Sequence, residues 1–344
     1  MIVTKNISFF KMVAWTGHHV VWLTAFVGTI TILYYFKIIQ VDVPWLPVSV
    51  IGTAVAFYAG FKNNQSYDRM WEARKNWGGI VNDSRTWGMM VDGFVSNFFS
   101  EKKISQHEIH AIKQRLIYRH IAWLYAHRSQ LLIPSMWEHI SQGGHLTETV
   151  LRHQKDFGIG LLGDEVTENE LKQFLLPDEY DRLIACQNVA AQIINEQSRD
   201  LSEIREQGLI EDFRHMEMVG ILRSFYEHQG KNERIKKTPL PRQYANMSRY
   251  FVGLFVILLP FSMIPELMKV NNLGLWLSIP ITVIIGWIYV MMELVGDYSE
   301  NPFQGMANDI PTMSICRTIE IDLREMLREK DLPSPIKPHN GILM

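Results

Sequence analysis

The chain has 344 residues, a formal net charge of −2 and 47% hydrophobic residues. That length can bury a sizeable core, and so neutral a balance offers no basic footprint for nucleic acid. The averages conceal a strong segregation of apolar from charged residues along the chain.

Between Lys11 and Lys37 no residue carries a formal charge, and the run contains VVWLTAFVGTITILYYF. At a helical rise of 1.5 Å per residue it is long enough to cross a hydrocarbon core. It exceeds the apolar core of a signal peptide, and YYFKIIQVD offers no small-residue cleavage site, so the segment is expected to stay in the mature chain. His18 and His19 lie near one end of it, where an interfacial or structural role outweighs a proton relay.

A second uncharged stretch lies between Asp42 and Lys62. Gly52, Ala54, Ala56, Ala59 and Gly60 interleave with larger residues there and permit close helix contact. Thr53, Phe57 and Phe61 are spaced by one helical turn and form a stripe about 12 Å long. Contributed by several subunits, such a stripe makes a narrow apolar constriction that gates by dewetting. Aromatic packing inside a bundle is the competing reading of the same spacing.

Residues 66–245 read as a mostly helical domain, because apolar residues recur at helical spacing with little β-type alternation. Ser105 with Glu108, and Thr167 with Glu170, match the capping-box pattern, and Asp178 after Pro177 is a further candidate cap. Ile109, Ile112, Leu116, Ile117, Ile121 and Leu124 share one stripe, with Lys113, Arg115 and Arg119 off it. HEIH, His107 to His110, lacks the i, i+4 spacing that brings two ligands to one helix face, so an exposed helix start is expected rather than zinc. GIGLLG, Gly158 to Gly163, has the spacing of a dinucleotide loop, but no strand precedes it and Asp164 and Glu165 follow, so a plain loop is expected.

A third uncharged run spans 250–265 and a fourth 270–292, separated by Glu266 and Lys269. Four crossings in two hairpins are predicted. None contains Asp, Glu, Lys or Arg between its flanking charges, which argues against ion-coupled transport and intramembrane catalysis and leaves passive conduction open. Lys62, Arg69, Arg74 and Lys75 follow the second crossing, and Arg234, Lys236, Lys237, Arg242 and Arg249 precede the third. The positive-inside rule then places the central region and both termini in the cytoplasm. Cys186 and Cys316 fall on that side, and no disulfide is expected.

After the fourth crossing, Ile315, Ile319, Leu323 and Leu327 mark another amphipathic helix. The following LPSPIKPHNG loses periodicity, and the last dozen residues are expected to be a mobile tail. No internal repeat is found, so an inverted-repeat transporter has no support.

GFKNNQSYDRMWEARKNWG, residues 60–78, resembles the signature of bacterial members of the bestrophin family of ion channels. ENPFQGMANDIPTMSICRTIEIDLREML is similar to that family's post-membrane NPF segment, and TPLPRQY to its entry into the third crossing. The resemblance implies an all-α integral membrane protein with four transmembrane helices and a large helical cytoplasmic domain, assembled as a homopentamer around one central pore lined by the second helix. It implies no enzyme activity and no cofactor, with membrane lipids and monovalent ions as partners and the bacterial inner membrane as location. The expected divisions are 1–65, 66–245, 246–296 and 297–344.

By the same resemblance Thr53, Phe57 and Phe61 occupy the neck, with a threonine where isoleucine is common. Lys62, Asn63 and Asn64 are expected at the pore mouth, and Asp68, Arg69, Glu72 and Arg74 in inter-helix ion pairs. EQGLIEDF nominates Leu209 or Ile210 for a second, cytoplasmic aperture. Calcium-regulated animal members carry an acidic run after NPF; here Asp309 is the sole carboxylate in QGMANDIP, so no calcium gating is expected. Phe57 matches the animal pattern and an unpaired Lys62 ring would attract anions, giving a lean to chloride. Cation conduction, a non-conducting scaffold or sensor, and a small transporter are the alternatives.

Overall fold

The computed structural model describes residues 1–6, 9–141, 147–148, 151, 165–270, 273–339 and 341–344. It is all-helical, and the described residues contain no strand beyond isolated bridges. GIGLLG and the side chain of Thr167 lie outside the described residues. The chain divides into two units: Thr4–Arg69 with Pro239–Glu300, and Met1–Val3 with Met70–Thr238 and Asn301–Met344.

The first unit holds four helices long and apolar enough to cross a membrane: α1 (Phe9–Tyr35), the N-terminal part of α2 (Trp45–Phe94), α8 (Arg242–Met268) and α9 (Gly274–Ser299). Helices α8 and α9 form a hairpin onto which α1 packs. Leu23, Val27, Val55, Phe255, Leu259 and Val283 meet in its core. Large apolar side chains also face outward, among them Val21, Ile32, Ile257, Trp276 and Ile284, as expected where the solvent is lipid. The hydroxyls of Thr16, Thr24, Thr29 and Thr31 each donate to the carbonyl four residues earlier, so none needs water. Pro260, Pro265 and Pro280 sit inside these helices, as membrane helices tolerate.

The second unit is built around α3 (Gln106–Leu131), with α4 (Glu165–Phe174), α5 (Pro177–Ile184), α6 (Val189–Glu206), α7 (Asp212–Lys237), α10 (Thr312–Met326) and the C-terminal part of α2. Helix α3 starts as predicted: Ser105 Oγ accepts from the Glu108 N–H, and the Glu108 carboxylate accepts from the Ser105 N–H. Its apolar stripe is buried except at Ile112, which is partly exposed. Arg119 is buried as well, because its guanidinium binds Glu179 and Asp200 at 2.6 Å each. The expected cap at Asp178 is displaced. Leu176 is the N-cap, Pro177 opens α5, and Asp178 lies within the first turn. HEIH opens α3 with both histidines exposed.

Aromatic side chains hold this core together. Trp77, His127 and Trp123 stack with centroids 5.8 and 5.6 Å apart, and His120 continues the column 5.3 Å from Trp123. Burial depresses both imidazoles, His120 to about 3 and His127 to about 4, so both are neutral partners in the stack. Cys316 is buried beneath α3, with its thiol pushed up to about 12 by burial, whereas Cys186 is half-buried; both are free.

The expected mobile tail is instead docked. Ile342 bridges to Ile2, the Val3 N–H donates to Gly341 O, and the Ser314 N–H donates to Met344 O. Proline removed the helical signal that the sequence reading relied on, but backbone pairing does not require periodic side chains.

Candidate pore-lining face of the second helix

Helix α2 runs unbroken for 50 residues, about 75 Å. The helix has two opposite faces within the first unit. Val48, Gly52, Val55, Ala59, Lys62 and Ser66 are buried, whereas Val50, Thr53, Phe57, Phe61, Asn64 and Asp68 are exposed. Phe57 is 66% and Phe61 60% exposed, so the chain's own bundle does not cover these rings. Thr53 Oγ1 donates to Ser49 O at 2.9 Å, which satisfies its proton and leaves lone pairs outward.

Two contacts set the rotation of this part of α2. At Gly52 an added Cβ would lie 2.7 Å from Phe255, so only glycine admits that approach, and Tyr289 Oη donates to Gly52 O at 3.1 Å. Ten residues further on, Lys62 is 1% exposed and its ammonium binds the Glu293 carboxylate, whose other oxygen accepts from Ser248 Oγ. Asp297 lies 3.9 Å from the same ammonium. Asn63 Nδ2 donates to Met292 O at 3.0 Å. Tyr289 and Glu293 are one turn apart on α9, so a single face of α9 holds α2 at both places.

This arrangement corrects the placement of Lys62 at a pore mouth. Its charge is turned into the helix bundle and neutralised, because an unpaired ammonium at that burial would be far too costly. Asn63 is half-buried with its donor engaged, and Asn64 is exposed. Of the residues expected in ion pairs, Glu72 binds Arg234 at 2.5 Å, whereas Asp68 forms no ion pair among the described residues. Trp77 is fully buried and Trp71 is 51% exposed.

Leu209 and Ile210 are also corrected. They are 0% and 2% exposed within the core of the second unit, so neither presents a side chain to an aperture. The turn is a packed corner: Leu209 O accepts from the Ser96 N–H, and Gly208, at φ +72°, lies against the backbone of Phe99 and Ser100. The exposed apolar residues near it are Phe98, Phe213 and Met216, which hydrophobicity alone does not separate from the buried pair.

The NPF corner is built from side chains spent on its own backbone. Phe303 and Gly305 have φ of +76° and +87°. Lys236, paired with buried Glu138, also donates to Phe303 O at 3.2 Å. Asp309 accepts from the Gly305 and Met306 N–H groups at 2.6 and 3.1 Å, and burial pushes its carboxyl up to about 7. Through one oxygen the buried carboxylate caps its own turn. No group of His, Cys, Asp and Glu suited to a metal ion occurs among the described residues.

The family model for "Bacterial/Fungal Bestrophin protein" matches residues 7–325. The chain is 24% identical over 312 residues to the voltage-dependent anion channel-forming protein YneE of Escherichia coli K12, covering 91% of this chain and 86% of that protein. It is 26% identical over 284 residues to a protein of the same description, sll1024, from Synechocystis, covering 82% and 76%. A bacterial bestrophin homologue from Klebsiella pneumoniae shares the fold with a TM-score of 0.71 at 21% identity, over 91% of this chain and 99% of that one. Fold, membrane helices and relatives together define an ion channel, not an enzyme. The chain belongs to the bestrophin family, in its bacterial and fungal branch.

The sequence does not reveal the Glu293–Ser248 tie, because Glu293 lies one residue beyond the uncharged run, where a charge reads as the end of a crossing. A signal was present: Lys62 and Glu293 each sit at the end of an apolar run, on helices that the two-hairpin pattern sends across in the same direction.

Proposed function

We propose that the protein conducts monovalent ions passively as a homopentamer, five copies of α2 surrounding one axial pore with Thr53, Phe57 and Phe61 as its neck. The observation that carries this reading is the rotation of α2. Two large rings are held away from their own bundle by a glycine contact at Gly52 and a buried ion pair at Lys62. Family membership supports conduction along the same helix.

The protein lies in the bacterial inner membrane, with its termini and second unit in the cytoplasm, as the basic residues flanking the second and third crossings favour. Anions are the preferred ions, supported by Phe57 and by the descriptions of the curated relatives. Cation conduction is the second reading, favoured by the neutralised Lys62, which removes one of the two grounds for the lean to chloride.

Liposomes loaded with chloride and reconstituted with purified protein should lose an imposed gradient without saturation or coupling, and Phe57→Ala with Phe61→Ala should raise the flux severalfold by widening the neck. A well-folded double variant with native flux would overturn the neck, and an intact gradient would overturn conduction.

A further inference from the structure

The exposed face of α2 continues past its phenylalanines. Seven residues is nearly two turns, so Asn64 lies below Phe57 and Asp68 below Phe61 on one side of the helix. Both are exposed. From Val50 to Asp68 this face carries Val50, Thr53, Phe57, Phe61, Asn64 and Asp68, and Asp68 is its single ionisable group. Lys62, earlier on the same helix, points into the bundle and is bound to Glu293, and Arg69, the next residue after Asp68, is half-buried. Asp68 itself makes no ion pair among the described residues, and its carboxylate is about 10 Å beyond Phe61 along the helix axis.

Lipid does not accept such a face. The outward residues of α8 and α9, such as Leu254, Ile257, Ile284 and Ile288, are apolar, whereas this face passes from phenylalanine to asparagine to aspartate. The polarity gradient is that of a surface leading from a dry constriction into water.

We propose that Asp68 is a charge-selectivity residue of the channel, its carboxylates forming a ring at the inner end of the neck that attracts cations and so lowers the channel's preference for anions. The inference rests on α2 lining the pore. A ring of five carboxylates acting on an ion across about 10 Å of water, screened at physiological ionic strength, changes relative permeability about threefold, and more at low salt.

The test is the reversal potential of the full-length protein in a planar bilayer between unequal KCl solutions. Asp68→Asn should move it toward the chloride equilibrium potential, raising the chloride-to-potassium permeability ratio about threefold, with a larger shift in dilute salt. Asp68→Glu should stay at the native value, and Asp68→Ser serves in place of Asp68→Asn if the latter does not assemble. An assembled, conducting Asp68→Asn or Asp68→Ser channel with native reversal potential overturns the assignment. Phe57→Ala with Phe61→Ala, measured in parallel, separates the two readings. If it changes the current while Asp68 variants leave the reversal potential unmoved, only the role of Asp68 falls; if neither has an effect, α2 does not line the pore.

Discussion

At the scale of single residues, the Lys62–Glu293–Ser248 cluster shows how a membrane bundle accommodates charge. A lysine 1% exposed survives only because a carboxylate and a hydroxyl complete its surroundings. Lys62→Met should leave Glu293 buried without its counter-ion and lower stability by about 3–5 kcal/mol, while adding Glu293→Gln should recover much of that loss. Thermal unfolding in detergent of the single and double variants reads the difference. Asp309 gives a pH prediction with a definite sign. Burial pushes its carboxyl up to about 7 in the fold, well above the ordinary carboxylate range, so the unfolded chain releases the proton first and this group's contribution to stability falls as pH rises from about 4 to 7. His120 and His127 act the other way, being held neutral well below 6.5. Each costs up to about 1.4 kcal/mol per unit as pH drops from 6.5 toward its folded value. Asp309→Asn should remove the opposing contribution and so steepen the rise of the melting temperature with pH between about 4 and 6.5 that the two histidines produce. The sequence exposed Asp309 as a lone carboxylate but not its burial, which depends on the backbone N–H groups of the turn it caps.

Among the elements, α2 is the most informative, since its glycines differ in what surrounds them. Gly52 lies against Phe255, whereas Gly60 has nothing within 4 Å of an added Cβ. Gly60→Ala should therefore stabilise the helix by about 0.5–1 kcal/mol, and Gly52→Ala should destabilise the protein and disturb the orientation of Phe57. Unfolding curves with a measurement of conductance check both. At α3, Ser105→Ala should cost about 1 kcal/mol through loss of the capping box. Helix positions were legible from uncharged runs, apolar stripes and the Ser105 cap. Helix rotation was not, because small residues at Gly52, Ala54, Ala56, Ala59 and Gly60 admit close contact on more than one side, and only the partners Phe255 and Tyr289 select one. The same limit explains Leu209 and Ile210: exposure is a property of the corner around Gly208, not of the apolar letters.

For the whole molecule, the uncharged runs marked the four helices that are long and apolar enough to cross a membrane. What spacing left open was whether the Thr53, Phe57 and Phe61 stripe packs within its own bundle, and the exposure of both rings answers that. Calcium should leave the currents unchanged, since Asp309 is already engaged by its own turn; channels recorded with chelator and then with millimolar calcium test this, and activation would contradict it. The two cysteines offer a route to the number of copies in the assembly. Cys316 is sealed in the core with its thiol raised to about 12, whereas Cys186 is partly open to solvent. A maleimide dye added to the native protein should therefore attach once per chain, and the bleaching steps of a single labelled particle should count to five.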